Sequence, residues 1–273
     1  MKKFIVVAVY YPNYIRRVVE ELYKIFSGID VNFVFINNNK GEDFSVLMGG
    51  ERTLYINGSN SSGEFSAWDE GVKLICSQFE LDKDDAFLFL NDTFCHHRFF
   101  TVIDRWLYKK TLLNLENGKI YGEVNTAKGD FKINNFGING WITSYFFCCK
   151  WEIACQLVPF SKSEEFKINE LNEMKRCMAN NTINVGIFSD DLNQHLSNWF
   201  FSNGARGWYG KNKSLDVLFF KLKAIINEKV LSYTALQAGI KIEDVYKLWW
   251  LSTYNILRYK LYNLCRKTIV LFK

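Results

Sequence analysis

Asp85-Ala86-Phe87-Leu88-Phe89-Leu90-Asn91-Asp92-Thr93 is the stretch that decides the fold. Its apolar run lacks the alternation of a half-exposed strand, so it predicts a strand buried on both faces, as in parallel sheets. The run stops abruptly at Asn91, Asp92 and Thr93. In open α/β sheets, ligands sit outside the carboxyl ends of the strands. Asp92 is therefore the first candidate for chemistry.

The preceding sequence follows the same plan. Phe4 to Tyr11 is rich in Val and Ile and predicts a central strand, broken by Pro12-Asn13. Ile15, Val18, Val19, Leu22, Ile25 and Phe26 recur at helical spacing. Val31 to Ile36 predicts a second strand ending in Asn37-Asn38-Asn39, and Thr53 to Ile56 a third ending in Asn57-Gly58-Ser59-Asn60. A helix opens near Glu64. Strands alternating with helices argue for an α/β fold with a mostly parallel sheet, in the Rossmann-like manner. Downstream, Phe99 to Leu115 reads as a helix, Ile120 to Asn125 and Trp141 to Cys149 as strands, and 128–139 as a loop. Ile183 to Phe188 reads as a last core strand, and everything from Leu215 onward as helix.

Composition limits the function classes. The chain has 273 residues, 48% hydrophobic, enough for one generous globular domain. With two prolines and no Gly/Ser-rich run, a structureless linker is not expected. A net charge of +5 is too mild for a dedicated nucleic-acid domain, and no nucleic-acid partner is expected. The seven cysteines form no paired CxxC sets, so neither a zinc site nor a disulfide framework is expected, and a reduced, cytoplasmic setting is. No GxGxxG, P-loop or Gly-x-Ser-x-Gly occurs.

Four segments together carry a family resemblance: Val6 to Asn13 (VVAVYYPN), Phe33 to Asn39 (FVFINNN), Tyr55 to Val72 (YINGSNSSGEFSAWDEGV) and Phe87 to Thr93 (FLFLNDT). In this order they resemble the nucleotide-binding half of a GT-A glycosyltransferase. The resemblance is greatest to the bacterial family-two-like enzymes that build rhamnan, O-antigen and other surface polysaccharides. It implies a GT-A-like catalytic domain over 1–212 that moves a sugar from a nucleotide diphosphate to a growing, lipid-linked polysaccharide. It also implies a donor site using Tyr11, Asn38, Asn60, Asp69, Asn91 and Asp92, with the nucleobase near the second strand end and the diphosphate near Asp92. The chain departs from the family pattern in three places. Asn37-Asn38 stands where Asp-Asn is common, Asp69-Glu70-Gly71 where Asn-x-Gly is common, and Asn91-Asp92-Thr93 in place of DxD. The alternative is a non-catalytic nucleotide-sugar or glycan binding protein derived from such a fold.

The chemistry of sugar transfer sets further expectations. The leaving phosphate must be neutralised, by a metal ion or by a Lys or Arg. A single carboxylate can hold Mg²⁺ or Mn²⁺ when phosphate oxygens and waters complete the shell. Asp92 is the expected ligand, with His195 a second candidate. Inverting transfer needs a base for the acceptor hydroxyl, and Asp191, with Asp190 as the alternative, opens a helix where the family has an acid. Retaining transfer would not need it, and either residue could instead be a helix cap. Phe136 to Tyr145 resembles the segment that lines the acceptor side in the same enzymes, which implies Trp141 and Tyr145 as acceptor-side residues, and their aromatic faces suit sugar rings; core packing is the competing reading for Trp141.

Residues 213–273 read as a helical C-terminal extension. Val245-Tyr246-Lys247-Leu248-Trp249-Trp250-Leu251 leads into Tyr254, Ile256, Leu257, Leu261 and Leu264, interleaved with Arg258, Lys260, Arg266, Lys267 and Lys273. Aromatic and cationic residues on one helix suit the interface of an anionic membrane. The expectation is a peripheral position at the inner face of the cell membrane, with no spanning helix.

Overall fold

The structure is a computed structural model that describes residues 1–47, 49–50, 52–126, 129–201 and 213–271, the last six as helical backbone only. Four strands form in the order expected: β1 (Lys3–Val9), β2 (Asn32–Asn37), β3 (Thr53–Asn57) and β4 (Ala86–Asn91). Between them run α1 (Pro12–Phe26) and α2 (Glu64–Gln78). Pro12 starts α1 because its fixed φ suits the first turn and its missing N–H is not needed there. Then come α3 (Val102–Leu113), β5 (Lys119–Thr126), the hairpin β6 (Lys132–Ile133) and β7 (Phe136–Gly137), and the long β8 (Gly140–Lys150). Helices α4 (Trp151–Leu157), α5 (Ile168–Ala179), α6 (Asp190–Phe201) and α7 (Leu215–Gln237) follow, then β9 (Lys241–Asp244) and α8 (Trp249–Leu271).

The main sheet has the order β3-β2-β1-β4-β8-β5-β9. Strands β1 to β4 are mutually parallel, β8 is antiparallel to β4 and β5, and β9 lies parallel to β5. The carboxyl ends of β1 to β4 therefore share one edge with the amino end of β8. One apolar core lies between the sheet and α1, α3 and the start of α8. A second lies under α2, α4 and α7, where Trp68 also donates its indole N–H to Leu90 O at 2.9 Å. A third joins α5, α6, α7 and the hairpin. The main sheet is thus covered on both faces, as its uninterrupted apolar strands require.

Three parts of the chain differ from the expectation. Residues 132–137, expected within a loop, form the hairpin of β6 and β7. Ile183 to Phe188 forms no ladder beyond a single bridge of Phe188 to Ile133. Its apolar residues enter the third core, and the N–H groups of Ile183 and Val185 go to Ser197 Oγ and Asn193 Oδ1 on α6. Residues 241–244, expected as helix, form the edge strand β9. The boundary expected at residue 212 lies outside the described residues. Beyond it, α7 packs on the second core and β9 extends the sheet.

Gly71 shows how closely α2 sits on the sheet. A Cβ there would lie 2.6 Å from Val6 Cγ1 and 2.8 Å from Ile36 Cδ1. Overpacking of this kind costs roughly 1–3 kcal/mol. Gly71→Ala is therefore expected to lower the urea midpoint at an unchanged slope; a midpoint equal to wild type would show that α2 can move away freely.

Candidate functional site

The strand ends at the carboxyl edge are tied to each other by polar groups. Asp92 N–H donates to Ala8 O (2.9 Å), and its Oδ2 accepts the N–H groups of Tyr10 (2.7 Å) and Tyr11 (2.6 Å). The acid therefore holds the turn between β1 and α1. Asp92 is 3% exposed, and burial pushes its carboxyl up to about 7 against the lowering effect of the two N–H donors. The charge of Glu64, at the start of α2, adds to the rise. Burial first and Asp92 second raise the Tyr11 phenol.

Asn38 continues the edge. Its N–H donates to Val9 O and its Nδ2 to Gly63 O (2.8 Å), while its Oδ1 is buried without a partner. That oxygen presses on Gly58, where a Cβ would approach it to 2.3 Å. Asn38 thus fixes the approach of β3 and the entry to α2. Asn60 stands in the same β3–α2 connection, in a left-handed conformation with φ +54. Asn91 accepts the N–H (3.1 Å) and hydroxyl (2.6 Å) of Thr93 and donates to Ser144 Oγ at 3.3 Å.

The Ser144 contact reveals the other wall. The register of β5 against β8 jumps between Gly122 and Val124, so Thr143 to Tyr145 bulge out of the ladder beyond the end of β4. Side chains of α7 cap the backbone this frees: Ile142 N–H donates to Ser232 Oγ (2.9 Å) and Ser144 N–H to Glu228 Oε2 (3.0 Å). Bulges beside a sheet edge commonly re-aim side chains at a site. Here the bulge puts Tyr145 within the fields of Glu228 and Glu64, while the Arg98 guanidinium lies 4.4 Å from its ring. Burial pushes the Tyr145 phenol up to about 12.

Lys229 follows Glu228 on α7 and is 3% exposed. Its Nζ lies 3.1 Å from Glu228 Oε1 and 3.4 Å from the centroid of the Trp141 ring. Burial lowers it to about 8, with Glu228 acting in the opposite direction. His195 completes this end. Its ring lies 5.1 Å from Phe131 and 6.4 Å from Trp141, and burial first, then the Lys229 charge, lower its pKa.

The structure brings together Tyr11, Asn38, Asn91, Asp92 and Tyr145, with Asn60 in the adjoining loop and Trp141 farther along β8. Asp69 serves a different place: its carboxylate accepts Phe160 N–H (2.6 Å), Ser161 N–H (3.0 Å) and the Ser161 hydroxyl, fixing the turn after α4. Asp190 and Asp191 are exposed at the start of α6. Asp190 lines an open cavity of about 560 Å³ with Asn184, Asn193, Gln194 and Ser197, while Asp191 contributes to the field at Lys132. The cation ligands expected from the sequence occupy unlike surroundings, since Asp92 Oδ2 is filled by two N–H groups and His195 stands near an ammonium. Among the described residues, no three His, Cys, Asp or Glu side chains gather as a ligand set. Asp92 and His195 do not belong to one such set.

No protein-family model matches the chain, and no curated protein matches it.

Glu64, Ser144, Glu228 and Lys229 were not singled out in the sequence. Lys229 had a signal, since Asn227-Glu228-Lys229 interrupts an apolar helix from Ala224 to Leu231. A charged pair on such a face needs a reason to be there.

Proposed function

We propose that this chain is a glycosyltransferase that moves a sugar from a nucleotide diphosphate to a glycan, lipid-linked in surface polysaccharide assembly. The observation that carries the reading is the polar edge itself. Four parallel strands end on Tyr10-Tyr11, Asn37-Asn38, Asn57 and Asn91-Asp92, opposite a bulged antiparallel strand that supplies Tyr145. An open α/β sheet with such an edge is the usual place for a nucleotide. A buried acid with a raised pKa in that edge supports a functional role, because structural caps do not need an ionisable group.

On this reading the nucleobase lies by the ends of β2 and β3, and the diphosphate by Asn91, Asp92 and Ser144. The acceptor comes from the side of Trp141 and Tyr145. Asp191, or Asp190, takes the acceptor proton if configuration inverts. The chain works at the inner face of the cell membrane. Support for that position is an exposed stripe of α8, Trp249, Trp250, Ile256, Leu257, Leu261 and Leu264, with Lys260 among them. Trp106 and Val102 of α3 are exposed on the neighbouring helix. Among the described residues, no helix is long and apolar enough to cross a membrane. An apolar helix face flanked by cations lies in the interface plane.

One observation favours a binding protein instead: the strand-end triplet has a single carboxylate, already engaged with backbone. Thermal melting against a panel of nucleotide sugars, with and without Mn²⁺ or Mg²⁺, separates the readings. A ligand at a hundred times its Kd stabilises the folded state by about 2.7 kcal/mol. The melting temperature is then expected to rise by on the order of 5 °C. The stabilising donor should also be hydrolysed slowly. Stabilisation without hydrolysis or transfer favours the binding protein, and no stabilisation by any donor sinks both.

A further inference from the structure

We propose that Lys229 and the indole N–H of Trp141 form a seat for the phosphate oxygens of an anionic ligand. On the reading given above, to which this inference is tied, those oxygens are the diphosphate of the sugar donor, so Trp141 serves the donor and the acceptor side is left to Tyr145.

The argument begins with unmet hydrogen bonds. Among the described residues Trp141 Nε1 and Thr143 Oγ1 are both buried without partners, two residues apart on β8 at the start of its bulge. A buried indole N–H normally finds an acceptor, and leaving one unmet is costly. The ammonium of Lys229 lies against the Trp141 ring and has three N–H groups. Among the described residues its hydrogen-bond acceptor is Glu228 Oε1, and Glu228 also holds Ser144 N–H through Oε2. Among the described residues the indole N–H is therefore unmet, and the ammonium has N–H groups beyond the one that Glu228 accepts. The missing partner is rich in acceptor oxygens and negatively charged, which describes a phosphate better than a sugar hydroxyl. Lysine binds phosphate as a point charge and needs no forked geometry.

Position agrees with chemistry. Ser144, held by Glu228, also receives the Asn91 amide, so the ammonium is connected through three hydrogen bonds to the end of β4. His195 stands beside Trp141, and burial together with the Lys229 charge favours its neutral form, which can donate one further N–H. A positive group at this place would stabilise the charge that develops on a departing diphosphate.

The test is titration calorimetry of the full chain with inorganic pyrophosphate, in EDTA. Wild type is expected to bind. Lys229→Met should raise Kd at least tenfold, and Trp141→Phe, which keeps a ring and removes the N–H, several-fold. The proposal is overturned if wild type binds no pyrophosphate, or if either Lys229→Met or Trp141→Phe, shown to be folded by its urea midpoint, binds as wild type. If nucleotide sugars stabilise Lys229→Met as well as wild type, the seat is wrong and the transferase reading survives. If pyrophosphate binds through Lys229 and no nucleotide sugar stabilises the chain, the seat stands and the transferase reading fails.

Discussion

Glu123→Leu is expected to destabilise the fold by about 3–5 kcal/mol, the range for removing one partner of a buried ion pair. Glu123 Oε1 accepts from Arg98 Nη1 and, at 2.9 Å, from Arg258 Nη2. Arg98 is 1% exposed and Arg258 2%. Arg258 would keep its second acid, Asp104, which also accepts the Tyr246 and Tyr254 hydroxyls. Arg98 would keep only Phe94 O and the faces of Tyr145 and Tyr259. A buried guanidinium without a counter-ion is the dominant loss. Adding Arg98→Met should restore a large part of it, since apolar replacement of both partners is often close to neutral. Urea unfolding of the single and double variants decides the matter. A single variant within 1 kcal/mol of wild type would mean that water reaches Arg98. Because Arg98 lies on Tyr145 and Arg258 belongs to α8, this network also fixes α8 against the β8 bulge.

The sequence disclosed β1, β2 and β4 because each is buried on both faces and so appears as an unbroken apolar run, while β3, half-buried at the sheet edge, showed as a short apolar run before Asn57. β9 escaped for the opposite reason. Lys241-Ile242-Glu243-Asp244 is an edge strand whose charges pair outward, Glu243 with Lys241 and Lys247, and charged residues on an edge strand discourage further pairing. Ile183 to Phe188 misled because its apolar residues fill the third core without joining a ladder. At the site, Asp92 was legible as a strand-end acid. Its N–H partners were not, since Tyr10 and Tyr11 reach it only through the parallel pairing of β1 with β4. Glu228 and Lys229 stood out only as a charged pair in an apolar helix; what they meet was hidden by distance along the chain, because α7 meets β8 through contacts that no local pattern encodes.

Asp92→Asn is expected to be more stable than wild type at pH 8 and indistinguishable from it near pH 4. A carboxyl raised from 3.8 to about 7 binds its proton more tightly in the folded chain than in the unfolded one. Between those values the folded state holds more protons, so its stability falls as pH rises and the contribution is gone above 7. Three units at roughly 1.4 kcal/mol each give an upper bound of about 4 kcal/mol. The amide oxygen of asparagine can still accept the Tyr10 and Tyr11 N–H groups, and asparagine has no charge to bury. Asp92→Ala removes the acceptor and leaves two N–H groups unmet, which should cost about 2–4 kcal/mol even at pH 4. Urea unfolding of the three proteins at both pH values measures each term. As a cap alone, then, asparagine would serve this position better at neutral pH, and asparagine already stands beside it at 91. On the proposed function, an acid kept where it weakens the fold serves the ligand. The amide variant, though folded and more stable, is accordingly expected to lose at least tenfold in donor hydrolysis. If it keeps full activity while gaining stability, Asp92 is a cap and the chemistry must be sought along β8.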